Sequence, residues 1–472
     1  MQMLVDIVTQ ISNFFWGLPL LIGVVGLGLY FSFAFRWNQI TKAGFMMKNT
    51  YGTFFRPAAE GEGTVSGFAA ASTAIASTVG VGNIAGVATA ITAGGPGAVF
   101  WLWLSGLLGM ATKAAEIMLG QRYRVKFETA DEYVCGINFV LKKGLGWDKF
   151  SYILAVVTVI TSPLGLLVQT DAIVSSLYQA FGLPLVWGVI LLIVPLAVAI
   201  LGGIRRISSV AEKIVPLMAL LYIGIGIYIL IANYERIPTV FSLIFRGAFS
   251  PLSAAGGFAG STVRSAARFG IARGVYSNEA GMGSGMLAHA AAITDHPARQ
   301  AAWGFGEIFV DTVIVCTVTA LSILITDLYI SAPGITGAQL TTLAFQTAIG
   351  PVGGAIVAVG TFMFGWTTVL AAYYYMEKRF DYLVGDKGSL LAVRRFWMLV
   401  FLASVAMGYR FDTGNLWIFN DMVQIITVSS SLVVLYMLRK VVIDLNNDFY
   451  QRYLPALAAG QNPSPVNYAS KP

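Results

Sequence analysis

Long apolar runs alternate with short polar segments along most of the chain. A helix needs about 20 apolar residues to cross the hydrocarbon core of a bilayer. Runs of this kind, bounded by charged residues or by Pro and Gly, predict eleven membrane-spanning helices: 12–35, 65–93, 96–120, 149–180, 183–203, 210–233, 255–289, 298–328, 341–376, 393–410 and 415–438. The pattern therefore predicts an all-α integral membrane protein.

Two of the predicted spans are interrupted near their middle by small and polar residues. The second span contains Ser-Thr-Val-Gly-Val-Gly-Asn at 77–83, and the seventh contains Ser-Asn-Glu-Ala-Gly-Met-Gly-Ser at 277–284. Lipid offers no water to the backbone groups that a helix break frees, so irregular backbone is tolerated only where it lines a cavity or is buried in protein. A matched pair of broken spans therefore indicates a transport site.

The positions of the breaks predict an internal repeat. With the first span set aside, the broken spans are the first and the sixth of the remaining ten, so 65–233 and 255–440 form a 5+5 repeat within one transmembrane domain, 1–443. Five is an odd number, so the two halves insert with opposite topology and the substrate site lies between them at the midplane. The remaining segment, 444–472, is predicted to be a disordered cytoplasmic tail.

Composition supports this class of protein: 57% of the 472 residues are hydrophobic and only 11% are charged. The net charge of +7 is concentrated in every second loop, as between the third and fourth spans (Arg122, Arg124, Lys126, Lys142, Lys143 and Lys149). That alternation follows the positive-inside rule and does not indicate nucleic-acid binding. It predicts a multi-pass membrane protein with its N-terminus outside and its C-terminus in the cytoplasm.

Unwinding at the first break would free backbone groups for two kinds of ligand. Amides at the start of the outer half-helix, near Val81 and Gly82, can hold a carboxylate, and carbonyls of Ala76 and Val79 can coordinate a small cation. Close packing of small residues is the alternative explanation. The second, similarly placed break favours ligand binding.

Ionisable and hydroxyl side chains inside the spans add further candidates. Glu279 lies within the second break and is expensive there unless it is paired or functional. It either forms an ion pair with one of the preceding arginines, Arg264, Arg268 or Arg273, or has a direct ion-binding or gating role. Adjacent hydroxyls at 367 and 368 either bond their own helix or contribute oxygens to a monovalent ion.

Three long runs resemble signatures of the alanine or glycine:cation symporters. They are 76–88 (ASTVGVGNIAGVA) with 94–98 (GGPGA), 273–284 (RGVYSNEAGMGS) and 307–312 (EIFVDT), and the likeness extends over the first 440 residues. The family is similar in fold to the leucine-transporter type, whose first broken helix carries the same Val-Gly-x-Gly-Asn run.

The resemblance implies a role for individual residues. Sodium ligands would be Ala76, Val79, Thr367 and Thr368, with Asn83 and Ser277 at a second sodium site whose occupancy is open. Substrate-binding residues would be Thr78, Val81, Gly82, Gln169, Tyr276, Ser277 and Ala372. A gating or charge network would comprise Asp171, Arg273 and Glu279.

Three positions depart from the family pattern and bear on the substrate. Ala371-Ala372 stands where the family has Gly-Trp, and loss of the indole would enlarge the pocket. Gln169-Thr170-Asp171 replaces Gln-Ala-Asn, and Tyr276 replaces a common Phe. These departures weaken the inference to alanine and glycine and make a larger neutral amino acid, such as glutamine, credible.

The predicted function is sodium-coupled import of a small neutral amino acid (alanine, glycine or serine) by alternating access, with sodium as coupling ion and no other cofactor. A larger substrate or proton coupling is the near alternative, and a channel or a non-transporting sensor is the distant one. An enzyme is disfavoured because the only histidines, His289 and His296, lack metal-ligand spacing and no nucleophile and base can be assembled. Oligomeric state is not predicted.

Overall fold

A computed structural model describes residues 2–53, 61–128, 131–201, 203–250, 262–385, 391–410, 413–461 and 463. The helices of its first half are α1 Gln2–Phe15, α2 Leu18–Ala34, α3 Asn38–Thr41, α4 Ala43–Asn49, α5 Gly67–Thr78, α6 Val87–Gly94, α7 Ala98–Tyr123, α8 Ile137–Leu145, α9 Asp148–Phe181, α10 Leu185–Ile200 and α11 Gly203–Ala232. Those of its second half are α12 Ile237–Phe249, α13 Val263–Asn278, α14 Gly285–Ala288, α15 Pro297–Ile308, α16 Cys316–Thr326, α17 Leu328–Ser331, α18 Gly337–Ile349, α19 Pro351–Val384, α20 Leu391–Met407, α21 Thr413–Met437, α22 Arg439–Asp448 and α23 Leu454–Ala458.

Three π-helical segments, Gly82–Gly86, Phe309–Val315 and Phe449–Tyr453, lead directly into α6, α16 and α23, respectively. Short 3-10 turns lie at Tyr51–Thr53, Tyr234–Arg236, His289–Ala291 and Gly408–Arg410. Between α7 and α8, strands β1 (Val125–Phe127) and β2 (Glu132–Val134) pair antiparallel, with Val125 opposite Val134. Almost all regular secondary structure in the described part of the chain is therefore helical.

Seven helical segments of the described residues are long and apolar enough to cross a membrane: Asp6–Ala34, Ala98–Tyr123, Asp148–Phe181, Gly203–Ala232, Pro297–Thr326, Pro351–Val384 and Trp417–Met437. An eighth is the pair Gly67–Thr78 and Gly82–Gly94, bent by 43° at the first break. The all-α membrane architecture is therefore confirmed. Eleven spans and an inverted repeat stay predictions, and the first residues of the predicted seventh span, 255–261, lie outside the described residues.

The predicted ninth span, 341–376, is wrong in its limits. Gly350 has φ of +79° and ends α18, and Pro351 begins the 34-residue helix α19. Proline lacks an N–H and is pre-organised for the first turn of a helix, so the chain restarts there. The helix that carries the paired threonines thus begins ten residues later and extends eight residues further than predicted.

Disorder of the predicted tail is also wrong for residues 444–458. Helix α22 continues past Asp444, and the rings of Phe449 and Tyr453 are buried. The ring of His296, at the start of α15, lies 4.9 Å from that of Phe449. Aromatic burial against the transmembrane domain accounts for the order of this segment. The rest of the predicted tail, 464–472, lies outside the described residues.

Helices α9 and α19 form one long wall of the molecule. Side-chain hydrogen bonds join Ser151 to Tyr382 at 2.6 Å and Arg379 to Ser162 at 3.0 Å. Early residues of α9 therefore meet late residues of α19, so the two helices run antiparallel. Helix α5 packs against α11 and α19, and α13 packs against α7. This arrangement brings the two breaks to one place beside the wall.

Candidate functional site

The first break is confirmed at the predicted residues. Helix α5 ends at Thr78, Val79 has non-helical dihedrals (φ −79°, ψ 85°), and helical geometry resumes at Val81. A Cβ at Gly80 would overlap the Oγ1 atom of Thr368 on α19, so this approach requires glycine. The glycine thereby allows the unwound backbone to lie directly against α19.

The second break is confirmed as well. Helix α13 ends at Asn278, and Glu279 adopts a left-handed conformation with φ of 54°. Gly281 and Gly283 follow with φ of +86° and +77°, values that an L side chain strains to reach. The Oδ1 atom of Asn278 accepts from the N–H of Ala280 at 3.0 Å, which satisfies one of the donors that the break frees.

Two charged side chains of α7 hold the second break. Lys113, fully buried, donates to Ser284 Oγ at 3.0 Å and lies 3.9 Å from Glu279 Oε2. Glu116, also fully buried, accepts from the N–H of Gly283 at 2.7 Å. The alternative that Glu279 pairs with a preceding arginine is therefore wrong. Sequence reasoning gave Lys113 no role, although an ionisable residue inside a span is itself a signal.

Glu279 also connects the two breaks. Its Oε1 atom accepts from Ser77 Oγ at 2.7 Å, and its other carboxylate oxygen has no hydrogen-bond partner among the described residues. The carboxylate therefore faces both Ser77 of the first break and Lys113 of α7.

Two of the four predicted sodium ligands are brought together. The Oγ1 atom of Thr368 donates to the carbonyl of Ala76 at 3.0 Å, next to the unwound Val79. The same Thr368 hydroxyl also lies 2.9 Å from the carbonyl of Phe364 in its own helix. The hydroxyl of Thr367 donates to the Phe364 carbonyl as well, at 3.0 Å, and lies 3.6 Å from the sulfur of Met218. The ligand roles of all four residues stay predictions.

Asn83 and Ser277, predicted for a second sodium, meet at a buried carboxylate. Asn83 Nδ2 donates to Asp311 Oδ1 at 2.6 Å, and Ser277 Oγ donates to the same oxygen at 3.0 Å. The Oδ1 atom of Asn83 accepts from the N–H of Gly80 at 2.9 Å. Asp311 is fully buried and had no assigned role in the sequence. The second ion site itself stays a prediction.

A cavity of about 140 Å³ lies between the breaks and helices α9, α19, α20 and α21. Five of the predicted substrate residues line it, namely Thr78, Gly82, Gln169, Tyr276 and Ala372, together with Thr368 and Glu279. The Nε2 atom of Gln169 donates to Tyr276 Oη at 3.2 Å, and its Oε1 atom accepts from the N–H of Val81 at 3.4 Å. Val81, Ser277 and Asp171 are not among the lining residues.

At one end of the cavity lies a cluster of aromatic and charged side chains, which we call the outer gate after the role predicted for Arg273: Arg273, Tyr276, Trp417 and Asp421. The rings of Tyr276 and Trp417 are 4.9 Å apart, and the guanidinium of Arg273 lies 4.3 Å from the Trp417 ring centroid. Arg273 also donates two hydrogen bonds to Asp421, at 2.7 and 3.1 Å. The structure therefore gives Arg273 a partner that the sequence did not indicate, and its gating role stays a prediction.

Beyond the outer gate lies a second cavity of about 310 Å³, lined by residues that include Thr89, Arg268 and Thr336. The first cavity extends the other way, past Ala372 to Ser162 and Arg379. The site is therefore closed toward one side and extends toward the other.

Comparison with known proteins identifies the family. The profile described as "Sodium:alanine symporter family" matches residues 1–463. The chain belongs to this family. The resemblance noted in the sequence is therefore confirmed, and the protein is an integral membrane transporter and not an enzyme.

Relatives in the family cover nearly the whole chain. An uncharacterized transporter of Haemophilus influenzae is 39% identical over 95% of this chain and 96% of its own. The sodium/alanine symporter AgcS of Methanococcus maripaludis is 40% identical over 85% and 88%, respectively. The probable sodium/glutamine symporter GlnT of Bacillus subtilis is 31% identical over 95% and 91%.

Solved structures support the fold. The crystal structure of MhsT in complex with L-phenylalanine matches with a TM-score of 0.53 at 15% identity, covering 85% of this chain and 94% of that one. Its fold is of the leucine-transporter type. At this level of identity the likeness concerns architecture alone.

Proposed function

We propose that this protein is a sodium-coupled symporter that imports a neutral amino acid by alternating access. Family membership and the names of AgcS and GlnT support sodium-coupled amino-acid transport. The observation that carries the proposal is the contact of Thr368 with the Ala76 carbonyl at the unwound first break, beside a cavity closed at one end.

In this proposal the first break binds both ligands. Sodium, a hard cation, takes oxygens from Ala76, Val79, Thr367 and Thr368. The substrate carboxylate takes the amides near Val81 and Gly82, where the helix dipole is positive. The Val81 N–H now donates to Gln169, so substrate binding displaces that carboxamide toward the amino acid.

In this proposal the outer gate opens and closes access to the cavity during transport. Tyr276 belongs to both the cavity wall and the gate, because its hydroxyl accepts from Gln169 and its ring packs on Trp417. Substrate contacts at Tyr276 thereby bias closure of the gate. We place the gate on the periplasmic side and the Arg379 end on the cytoplasmic side of the inner membrane, following the distribution of basic loops.

The test is binding to the purified protein. We expect sodium to raise the affinity for a neutral amino acid and the amino acid to raise the affinity for sodium by the same factor, because coupling of two sites is reciprocal. A saturating ligand at 100 times its Kd stabilises the folded state by about 2.7 kcal/mol, which is large enough to read as a thermal shift.

Potassium and choline salts at matched ionic strength are the controls for this binding experiment. Equal amino-acid affinity in sodium and choline would contradict sodium coupling. An amino-acid affinity that depends on pH but not on the sodium concentration would instead favour proton coupling.

A further inference from the structure

Two buried side-chain amides of α21 line the cavity without hydrogen-bond partners. Asn420 is 3% exposed and Gln424 is 2% exposed. Among the described residues, nothing pairs with Nδ2 of Asn420 or with Nε2 and Oε1 of Gln424. A buried polar group left unpaired costs about 1–3 kcal/mol, so three such atoms in one wall call for a ligand.

The two amides lie on one face of α21, since residues four apart on a helix are neighbours. One turn further out, Trp417 belongs to the outer gate. Asn420 lies opposite Gly165 of α9. A Cβ atom added to that glycine would lie 3.6 Å from Oδ1 of Asn420. Gly165 is one turn from Gln169, so the amide pair lies just inside the predicted substrate site, on its α21 side.

The residues around the pair leave room for a substrate side chain and limit its charge. Ala372 contributes only a methyl group to the same cavity. Glu279 and Arg379 both line the cavity, and Glu279 lies 3.9 Å from Lys113, so the cavity offers no uncompensated carboxylate to an incoming side chain. A purely apolar side chain would leave the amides of Asn420 and Gln424 unpaired.

We propose that Asn420 and Gln424 form a specificity pocket for a carboxamide side chain, so that the preferred substrate is an amino acid of the glutamine and asparagine class. A carboxamide has two N–H donors and one carbonyl acceptor, which complement the unpaired donors and acceptor of the two residues. Glutamine and asparagine carry such a group, whereas alanine does not. This inference rests on the proposed function and names its substrate class.

Equilibrium binding to the full-length protein in sodium tests the inference. The probes are glutamine, asparagine, alanine, leucine and glutamate, compared in the wild type and in Gln424→Leu. We expect the wild type to bind glutamine at least about tenfold more tightly than alanine, the equivalent of one to two hydrogen bonds, and this ratio to collapse toward one in Gln424→Leu. Asn420→Ala should reduce the same ratio of glutamine to alanine affinity, and it replaces Gln424→Leu as the test variant if Gln424→Leu does not fold.

The matched control is Gln346→Leu, because Gln346 is a half-buried glutamine of α18 that is not among the residues lining the cavity. It should retain the wild-type ratio. A wild-type protein that binds alanine as tightly as glutamine, or a folded Gln424→Leu with an unchanged ratio, would overturn the pocket and leave sodium-coupled transport standing. Binding of none of the five amino acids would overturn the proposed function and the pocket with it.

Discussion

Thr368→Ala is expected to raise the sodium concentration that half-activates uptake by at least about tenfold, or to abolish activation. Its hydroxyl lies 3.0 Å from the carbonyl of Ala76, where α19 packs against the unwound first break. Loss of one ligand to a charged group costs about 1.5–3 kcal/mol, which corresponds to roughly tenfold or more in affinity. Among the described residues, Thr368 is the side chain that donates to this carbonyl.

The measurement is amino-acid uptake into proteoliposomes as a function of external sodium. Thr361→Ala is the matched control, because its buried hydroxyl, on the same helix, donates to the carbonyl of Val357 at 2.7 Å. Thr367→Ala tests the other predicted hydroxyl, which now bonds its own helix. Unchanged sodium activation in Thr368→Ala would show that sodium does not bind at this position.

Asp421→Asn is expected to open the outer gate and to stop net import. The Arg273–Asp421 pair is bidentate and nearly buried, with side-chain exposures of 6% and 12%. Removal of one partner from a buried pair costs about 3–5 kcal/mol, because the other charge stays without compensation. The closed gate will therefore lose stability relative to the open one, and carriers will accumulate in the outward-open state.

A cysteine behind the gate reports this change. Val423→Cys lines the cavity on the inner side of the gate, and the two native cysteines, Cys135 and Cys316, are buried. An impermeant thiol reagent added from the periplasmic side should label Val423→Cys about tenfold or more faster in the Asp421→Asn background. The double change Arg273→Gln with Asp421→Asn should be better folded than Asp421→Asn alone. Equal labelling rates in all backgrounds would show that this pair is not a gate.

Local sequence carried enough information to predict the breaks and most of the cavity wall. Gly80, Gly281 and Gly283 mark positions where a helix is interrupted, and the structure unwinds at those places. Gln169 and Tyr276 were placed by resemblance and do meet, at 3.2 Å. Such predictions succeed because each depends on residues within a few positions or on a long family motif.

Contacts between distant segments were beyond prediction. Arg273 and Asp421 are 148 residues apart, and nothing in the pattern around either residue names the other. Lys113 and Glu116 sit in an apolar span, but only the fold shows that they hold the second break. Unpaired amides at Asn420 and Gln424 likewise appear only when the neighbouring helices are in place.

Coupled flux in proteoliposomes tests the central claim most directly. With the purified protein reconstituted, an inward sodium gradient should drive uphill accumulation of a neutral amino acid, and labelled sodium and amino acid should enter in a fixed ratio at all substrate concentrations. Preloaded amino acid should also support counterflow. Sodium entry without amino acid would indicate a channel, and binding without counterflow would indicate a sensor. Either result would contradict a sodium-coupled carrier.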